Sequence, residues 1–220
     1  QSRPPWRRAC AAYGYGGPIC NCGDHAFQEG AWAAFDDWCR SQKVVAEFVR
    51  FHPLLGNEQW ISPTVELIHD RQTVSVDFSE DFVFGPKVRN KIRRAERSGA
   101  IVTDELTDHR YRGFVELYGR TMERLGAETY YFFGEGYFHG LRALVEQSGF
   151  MLAVESDQGI EAAALFISGP SFLHYHLSCT NPDAKIPGTI NLILSQAARI
   201  GRDRGLHGLH MGGGRSAAAN

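Results

Sequence analysis

Histidine, tyrosine and serine side chains are concentrated in one strand-like segment, FLHYHLSCT, at residues 172–180. The two-residue period of a strand places His174 and His176 on one face, and Tyr175 and Leu177 on the other. A histidine at a sheet edge can take a proton from an attacking amine near neutral pH. If the strand end separates from its neighbour, its backbone N–H groups can bind a carbonyl oxygen that becomes an oxyanion. Both properties suit acyl transfer to an amine.

The backbone donors of this segment are expected around Leu177–Cys179. The catalytic candidates that follow from this pattern are His176, Leu177, Ser178 and Thr180. For His176 the alternative is a structural role, because most buried polar groups in proteins simply have a hydrogen-bond partner.

An amphipathic helix is predicted directly after this strand, beginning at Pro187-Gly188 and reading PGTINLILSQAARIGRDRG. The first N–H groups of a helix have no partner within the helix, so its start can hold an anionic or carbonyl-bearing ligand. The candidate donor-binding residues here are Lys185, Gly188, Thr189 and Asn191. Equally, Pro-Gly can serve only to start the helix.

A second helix, predicted over residues 86–99, is strongly basic, with a narrow apolar stripe of Val88, Ile92 and Ala95. Its six cations are Lys87, Arg89, Lys91, Arg93, Arg94 and Arg97. Arg93 and Arg94 are the main candidates for binding phosphate, since arginine pairs with phosphate in a bidentate manner. The alternative is a solvated charged face.

Four further residues are candidates for binding substrate. Tyr15, in the segment YGYGGP, and Tyr131, in an aromatic loop, can stack on a sugar or peptide or can pack a strand end. Arg50 and His52 precede Pro53 and face the same way by the period of a strand, so they can bind an acidic acceptor or form salt bridges.

Composition limits the function classes. The 220 residues are 43% hydrophobic and 22% charged with a net charge of −2, as in an ordinary globular protein without a global field toward nucleic acid or membrane. No apolar run approaches the roughly 18 residues of a membrane span, and the first residues lack the apolar core of a signal peptide. Because the chain begins at Gln1, a fragment or processed form is expected.

The five cysteines are odd in number and lack paired CxxC spacing, which favours free thiols, a reducing compartment and hence the cytoplasm. Cys20, Cys22 and His25 do not have the spacing of a structural zinc site, and the second ligand pair is missing. No metal is therefore expected.

Periodicity predicts a mixed α/β protein. A helix is expected over residues 27–43, a buried strand up to Pro53, a hairpin over residues 64–79, and a helix with Asp108 as N-cap. The residues of that helix expected to face inward are Phe114, Leu117, Tyr118, Thr121 and Leu125. Another helix ending near Gly149, three strands, the helix at Gly188 and a final short strand follow. The order of elements suggests mixed sheets flanked by helices.

Several segments together resemble the FemAB-like branch of the GNAT acyltransferases. They are YGYGGP, RFHPLL, RNKIRRAERSG, the strand-to-helix unit AALF…YHLS…PG, and LHMGGGR. The resemblance covers roughly residues 11 to 215. It implies tandem GNAT units truncated at both ends, with a partial first unit at residues 1–85 and a second unit at residues 86–220.

The resemblance also implies an enzyme that moves an aminoacyl or acyl group onto an amine of a cell-envelope or polysaccharide precursor. No permanently bound cofactor is expected, and the acyl donor would be aminoacyl-tRNA or acyl-CoA. The expected partners are a small-molecule or nucleotide-linked precursor and tRNA. Alternatives are an acyl-CoA-dependent N-acetyltransferase acting on a sugar amine or small metabolite, and a GNAT-derived binding module without activity.

The helix start departs from the acetyl-CoA-using pattern Gln/Arg-x-x-Gly-x-Gly/Ala. Here the equivalent stretch is Lys185-Ile186-Pro187-Gly188-Thr189-Ile190. Ile190 replaces the second small residue, and Pro187 removes one N–H donor. This departure favours a different acyl donor, and the resemblance implies that this donor is aminoacyl-tRNA.

Overall fold

The computed structural model describes residues 6–10, 14–62, 64–70, 72–79, 83–157 and 159–213. The chain forms two compact units, residues 1–71 and 72–220. The elements of the first unit are β1 (Arg7–Cys10), α1 (His25–Ser41), β2 (Val44–Phe48) and a 3-10 turn (Asn57–Trp60).

In the first unit, β1 and β2 form a parallel pair connected by α1. Helix α1 confirms the predicted helix and is capped by Asp24, whose side chain accepts the N–H of Ala26 at 2.9 Å. The predicted buried strand is wrong in length and burial. It ends at Phe48 rather than Pro53, and Val45 and Phe48 are 67% and 64% exposed. Within the described part of this unit β2 pairs only with β1, so it has little cover.

Buried Asn57 ties the two motifs of this unit together. Its side-chain amide donates to the carbonyl oxygens of Gly16 and Pro18 at 2.9 and 3.2 Å, and its Oδ1 accepts the N–H of His52 at 3.0 Å. The segments YGYGGP and RFHPLL therefore share one fully bonded polar centre, as a buried amide requires.

The second unit contains most of the secondary structure. Its strands are β3 (Ser75–Asp77), β4 (Val102–Thr103), β5 (Gly149–Ser156), β6 (Gly159–Ser168), β7 (Phe172–Thr180) and β8 (Gly208–His210). Its α-helices are α2 (Pro86–Arg97), α3 (Asp108–Arg124), α4 (Glu135–Ser148) and α5 (Thr189–Asp203), and a 3-10 turn spans Thr129–Tyr131.

The six strands of the second unit form one mixed sheet in the order β3-β8-β7-β6-β5-β4. Only β7 and β8 run parallel, and all other neighbours are antiparallel. This confirms the predicted mixed α/β class.

The predicted hairpin over residues 64–79 is wrong, because residues 64–70 form no strand and β3 pairs with β8 instead. Since β3 joins this sheet, the second compact unit starts at Gln72, ahead of the predicted boundary at residues 85–86. The assignment of the first unit as a partial GNAT unit stays a prediction.

Helices cover both faces of the sheet. Phe166, Leu173 and Ile193 belong to a buried cluster that includes residues of α2 and α5. Phe114 and Leu165 belong to a second cluster that includes residues of α3 and α4. The alternation of β6 side chains between two buried faces explains why its sequence is almost continuously apolar.

Two details of α3 differ from expectation. Its N-cap is Thr107, whose side-chain oxygen accepts the N–H of Arg110 at 3.2 Å, and not Asp108. Leu125 is 38% exposed, because the helix ends at Arg124 and Leu125 is the C-cap. The other four residues predicted to face inward are buried.

Gly188 allows α2 and α5 to pack closely. It is the N-cap of α5 with a φ of 82°, a left-handed conformation that disfavours side chains. A Cβ added there would lie 2.5 Å from the carbonyl oxygen of Lys91 and 3.3 Å from its Cβ. The start of α5 therefore lies directly against the middle of the basic helix.

Gly188→Ala is expected to lower the free energy of unfolding by about 2–4 kcal/mol, because alanine adds backbone strain and a clash with Lys91. Gly205→Ala is the matched control at the other end of α5. Gly205 also has a positive φ (71°), but an added Cβ meets nothing within 4 Å. The free energy of unfolding of Gly205→Ala should therefore fall by only about 1–2 kcal/mol. Urea denaturation measures both, and equal losses would contradict the close approach.

Candidate active site

Strands β7 and β8 part in the middle of the sheet. They pair in parallel only from Phe172–His174 to Gly208–His210. Beyond His210 the chain turns with β3, since the N–H of Met211 donates to the carbonyl of Val74 at 2.8 Å. Strand β7 instead continues along β6 as far as Thr180. The result is a fork whose open side is lined by residues 175–180 of β7.

The backbone of β7 directs one predicted donor into this fork. The N–H of Asn181 donates to the carbonyl of Glu161 on β6 at 2.8 Å. N–H groups alternate between the two edges of a strand, so those of Cys179 and Leu177 also point toward β6. The N–H of Ser178 therefore points to the open side. Of the predicted donors at Leu177–Cys179, Ser178 is the one oriented to contact a ligand in the fork.

A β-bulge at His176 separates the faces of the neighbouring side chains. Leu165 pairs with Leu177 and Phe166 pairs with Tyr175, which leaves His176 as the extra residue of β7. Tyr175 consequently packs with the α2/α5 cluster, whereas Leu177 belongs to the α3/α4 cluster. The prediction that Tyr175 and Leu177 share a face is therefore wrong, because strand periodicity does not continue through a bulge.

The His176 imidazole is in contact with a tyrosine that sequence analysis did not select. The Tyr137 hydroxyl lies 2.7 Å from Nε2 of His176. Phe133 stacks on the Tyr137 ring with centroids 4.0 Å apart, which fixes its orientation. Burial lowers the pKa of His176 to about 4, so its imidazole is neutral near physiological pH. A neutral imidazole has one N–H and one acceptor nitrogen, so the pair can pass a proton between phenol and ring.

The remaining catalytic candidates on β7 have structural hydrogen bonds. Tyr175 donates its hydroxyl to Oγ of Ser178, and burial raises the pKa of Tyr175. Oγ1 of Thr180 accepts a guanidinium N–H of Arg124 at 3.0 Å. Leu177 is buried, so any contact to a ligand comes from its backbone.

A pair of histidines marks the point where the fork opens. His174 and His210 are register partners on β7 and β8, with ring centroids 5.7 Å apart, and His210 is only 2% exposed. Sequence analysis assigned no role to His210, because its partner lies on another strand and spacing along the chain does not show the pairing.

At the start of α5, the four donor-binding candidates differ in their surroundings. Thr189 is buried, Asn191 is half-buried, and the carbonyl of Gly188 accepts the first helical bond from Leu192 at 3.0 Å. Lys185 is exposed, but its backbone N–H donates to Oε2 of Glu161 at 2.9 Å. One amide of the loop before the predicted anion seat is therefore bonded to a carboxylate from within the protein.

The structure distinguishes the two arginines of the basic helix. Lys91 contacts the start of α5, and residues three or four apart in a helix share a face. Arg94 therefore lies on the same side of α2 as Lys91 and Lys87. Arg93 lies about 160° around the helix from Lys91, at 100° per residue. Of the two predicted phosphate contacts, only Arg94 shares the side of α2 that meets Gly188.

In the first unit, Tyr15 and His52 lie together, with ring centroids 5.7 Å apart in an edge-to-face arrangement. His52 is buried and its Nδ1 accepts the N–H of Leu54 at 3.1 Å. Burial lowers the pKa of His52, which disfavours the charged ring that would bind an acidic acceptor. Arg50 is exposed, so the prediction that it faces the same way as His52 is wrong, because both residues lie beyond the end of β2. Tyr13, the other tyrosine of YGYGGP, lies outside the described residues.

Tyr131 precedes Phe132, which lines an aromatic groove between α3 and α4. The Tyr131 ring lies 4.0 Å from that of Tyr130, and the Tyr131 carbonyl accepts the hydroxyl of Tyr118 at 3.1 Å. The groove has a volume of about 490 Å³, and Tyr131 itself does not line it. Its lining combines aromatic residues, which include Tyr118, Phe132, Phe133 and Phe138, with the charged residues Asp108, Arg112, Glu116, Glu135 and Arg142. Because Phe133 also stacks on Tyr137, this groove lies one ring away from the Tyr137–His176 pair.

The described residues contain neither a metal-binding cluster nor a membrane-spanning helix. No group of three or more histidine, cysteine, aspartate or glutamate side chains is arranged to hold a metal ion. No helix in the described ranges has the length and apolar character that a bilayer crossing requires. All five cysteines are free thiols.

A family model described as an acetyltransferase (GNAT) domain matches residues 86–218, which is more than half of the chain. The chain belongs to the GNAT family. It is therefore an acyltransferase, and GNAT domains use acyl-CoA as a co-substrate rather than a permanently bound cofactor. No curated protein sequence matches the chain significantly.

The solved structures that are similar to this GNAT protein include FemX and a synthetase domain. FemX matches with a TM-score of 0.63 and 14% identity, over 89% of this chain and 71% of FemX. The C-terminal domain of a protein named as a lysylphosphatidylglycerol synthetase, from Agrobacterium fabrum, matches with a TM-score of 0.53 and 15% identity. That match covers 87% of this chain but only 61% of the synthetase domain, less than two thirds of its length. The fold similarity to FemX agrees with the FemAB-like branch predicted from sequence.

Sequence reasoning missed two residues of the site. Tyr137 lies among many aromatic residues, and nothing in its spacing sets it apart from residues that only pack. Glu161 did leave a signal, because it is the one charged residue in the apolar strand IEAAALFIS. An acid in the interior of a buried strand needs a specific partner, which its contact with Lys185 supplies.

The state of His176 can be measured through stability. Its pKa is lowered from 6.5 to about 4 in the folded protein, so the unfolded chain binds more protons between these values. The free energy of unfolding must therefore fall as pH drops through this range. His176→Gln removes the titrating group. Between about pH 7 and pH 4, the free energy of unfolding of this variant should therefore fall by roughly 2–3 kcal/mol less than that of wild type.

The control is His139→Gln, which replaces an exposed histidine on the same helix as Tyr137 and should follow wild type. Denaturant unfolding at several pH values measures all three proteins. If His176→Gln loses as much stability as wild type on acidification, His176 is not buried in a neutral state.

Proposed function

We propose that this chain transfers an aminoacyl group from aminoacyl-tRNA to an amine of a cell-envelope precursor, forming an amide bond. The observation that carries this proposal is the fork between β7 and β8, with the Ser178 N–H directed into it and the His176–Tyr137 pair beside it. A carbonyl placed in the fork would meet a fixed donor on one side and a proton acceptor on the other.

The proposed reaction joins the acceptor nitrogen to the acyl carbon. The neutral amine attacks the ester carbonyl, and the Ser178 N–H stabilises the negative oxygen of the tetrahedral adduct. His176 takes a proton from the cationic nitrogen of the adduct. When the carbon–oxygen bond breaks, that proton passes to the leaving ribose oxygen. Because burial keeps the pKa of His176 near 4, its task is to relay this proton and not to deprotonate the free ammonium.

Two features support aminoacyl-tRNA as the donor. Pro187 and Ile190 replace residues that a pyrophosphate cradle would use, and the N–H of Lys185 is already bonded to Glu161. The basic helix lies against the start of α5, where Lys87, Lys91 and Arg94 can contact tRNA phosphates. The names of the similar structures, FemX and lysylphosphatidylglycerol synthetase, agree with aminoacyl transfer.

The proposed acceptor is a nucleotide-linked or small-molecule precursor with a free amine. The aromatic groove beside Tyr131 is the proposed site for its sugar or peptide part, because aromatic rings stack on such groups. For Arg50 and Tyr15 of the first unit, a role in substrate binding stays a prediction. Five free cysteines support a reducing compartment, so the cytoplasm is the proposed location.

A transfer assay tests the proposal with labelled aminoacyl-tRNA, acetyl-CoA and an amine-bearing nucleotide-linked peptide. Transfer is expected from aminoacyl-tRNA. His176→Ala should lower kcat by about 10²–10³ because the proton relay is lost, and Tyr137→Phe by about tenfold. His139→Gln is the control with full activity.

Acetyl transfer from acetyl-CoA, without aminoacyl transfer, would contradict the proposal and favour the sugar-amine N-acetyltransferase. Binding of the precursor without any transfer would favour a binding module. Full activity of His176→Ala would exclude the proton relay.

The two arginines of α2 give a separate test. Arg94→Ala should weaken tRNA binding severalfold and reduce the salt dependence of the affinity by about one phosphate contact, because Arg94 lies on the side of α2 facing α5. Arg93→Ala removes the same charge from the other side of the helix and should have a smaller effect. Filter binding at several salt concentrations measures both variants, and equal effects would show that α2 does not bind tRNA through its α5 side.

A further inference from the structure

Glu161 is a buried carboxylate with an unusual position in β6. It is 1% exposed and is surrounded in sequence by apolar residues. Val154 pairs with Ala162 and Glu155 pairs with Ile160, so Glu161 is the extra residue of a bulge between β5 and β6. A bulge redirects a side chain and commonly marks a functional position.

The carboxylate and the carbonyl of Glu161 hold the loop that connects β7 to α5. Its carbonyl accepts the N–H of Asn181 at 2.8 Å, and its Oε2 accepts the N–H of Lys185 at 2.9 Å. Both ends of the loop segment 181–185 are therefore fixed to one residue of β6. A charge-assisted bond of this kind is stronger than a neutral one.

This arrangement takes up one backbone donor of the loop that leads to the predicted anion seat. The N–H of Lys185 lies three residues before Gly188, in the loop that leads to the start of α5. An anion at that loop would have to displace a buried carboxylate that has its own bond, which leaves a buried charge without compensation. An anion that takes the Lys185 N–H would also be repelled by the Glu161 carboxylate it displaces.

We infer that Glu161 determines donor specificity, by excluding diphosphate-bearing donors such as coenzyme A thioesters in favour of donors whose acyl group is esterified to a ribose. This inference rests on the proposed acyl transfer at the β7/β8 fork and specifies its donor. Glu161 acts as a positioning residue through the loop and through its charge, and it does not contact the reacting atoms.

Calorimetric titration tests the inference with two probes, coenzyme A and a non-hydrolysable 3′-aminoacylamido-adenosine. Wild type should bind the adenosine derivative at least about tenfold more tightly than coenzyme A. Glu161→Gln keeps the size and an oxygen acceptor for the Lys185 N–H but removes the charge. It should strengthen coenzyme A binding by about tenfold and change binding of the adenosine derivative less than about twofold.

Asp183→Asn is the matched control. It removes one carboxylate charge from the same loop, but Asp183 is exposed, with 86% of its side-chain surface accessible. The Asp183→Asn variant should prefer the adenosine derivative over coenzyme A to the same extent as wild type. An equal gain of coenzyme A binding in both variants would show a general charge effect and overturn the inference. Equal weakening of both probes by Glu161→Gln would show a purely structural role and also overturn it.

If Glu161→Gln does not fold, the wild-type preference decides, because tighter binding of coenzyme A than of the adenosine derivative contradicts the inference. The outcome is separable from that of the proposed function. Failure of transfer from aminoacyl-tRNA, with the binding preference and its dependence on Glu161 intact, would contradict the proposed reaction alone. The opposite result is transfer from aminoacyl-tRNA by wild type, with a Glu161→Gln variant that still prefers the adenosine derivative over coenzyme A as wild type does. That result would contradict the role of Glu161 alone.

Discussion

The separation of β7 from β8 follows from the different neighbours that the two strands have on their other edges. Strand β7 remains hydrogen-bonded to β6 as far as Thr180, whereas the chain after His210 stays with the segment before β3. Because each strand continues along this other neighbour beyond the paired residues 172–174 and 208–210, the sheet opens between β7 and β8. The fork is therefore a consequence of backbone pairing. The side chains of the site line strand edges that this pairing leaves open.

The surrounding elements are adjusted to this opening. The bulge at His176 turns its imidazole to the α4 side, where Tyr137 and the ring stacked on it fix its position. On the other side, the loop after β7 is fixed to Glu161, and Gly188 lets α5 begin directly against α2. Bulges, a left-handed glycine and a buried acid each carry a cost in regular structure, and all of them occur within this one region.

Much of the second unit follows from local sequence rules, and the site follows from them only in part. Helix α2 was predictable from its narrow apolar stripe, and the start of α5 from Pro187-Gly188, because both signals lie within one turn of chain. The sheet faces on which Tyr175 and Leu177 lie were not predictable, since a bulge interrupts the two-residue period on which the prediction relies. The Tyr137–His176 and His174–His210 contacts join distant segments, and only the sheet order brings them together.

Hydrogen exchange of the fork tests the central claim most directly. The protein would be compared with and without a saturating 3′-aminoacylamido-adenosine, and exchange followed in peptides covering residues 175–180. If the fork binds the acyl carbonyl, amide exchange in this segment slows when the ligand is added, because the Ser178 N–H gains a partner. Unchanged exchange at residues 175–180, with protection elsewhere in the chain, would contradict a carbonyl site between β7 and β8.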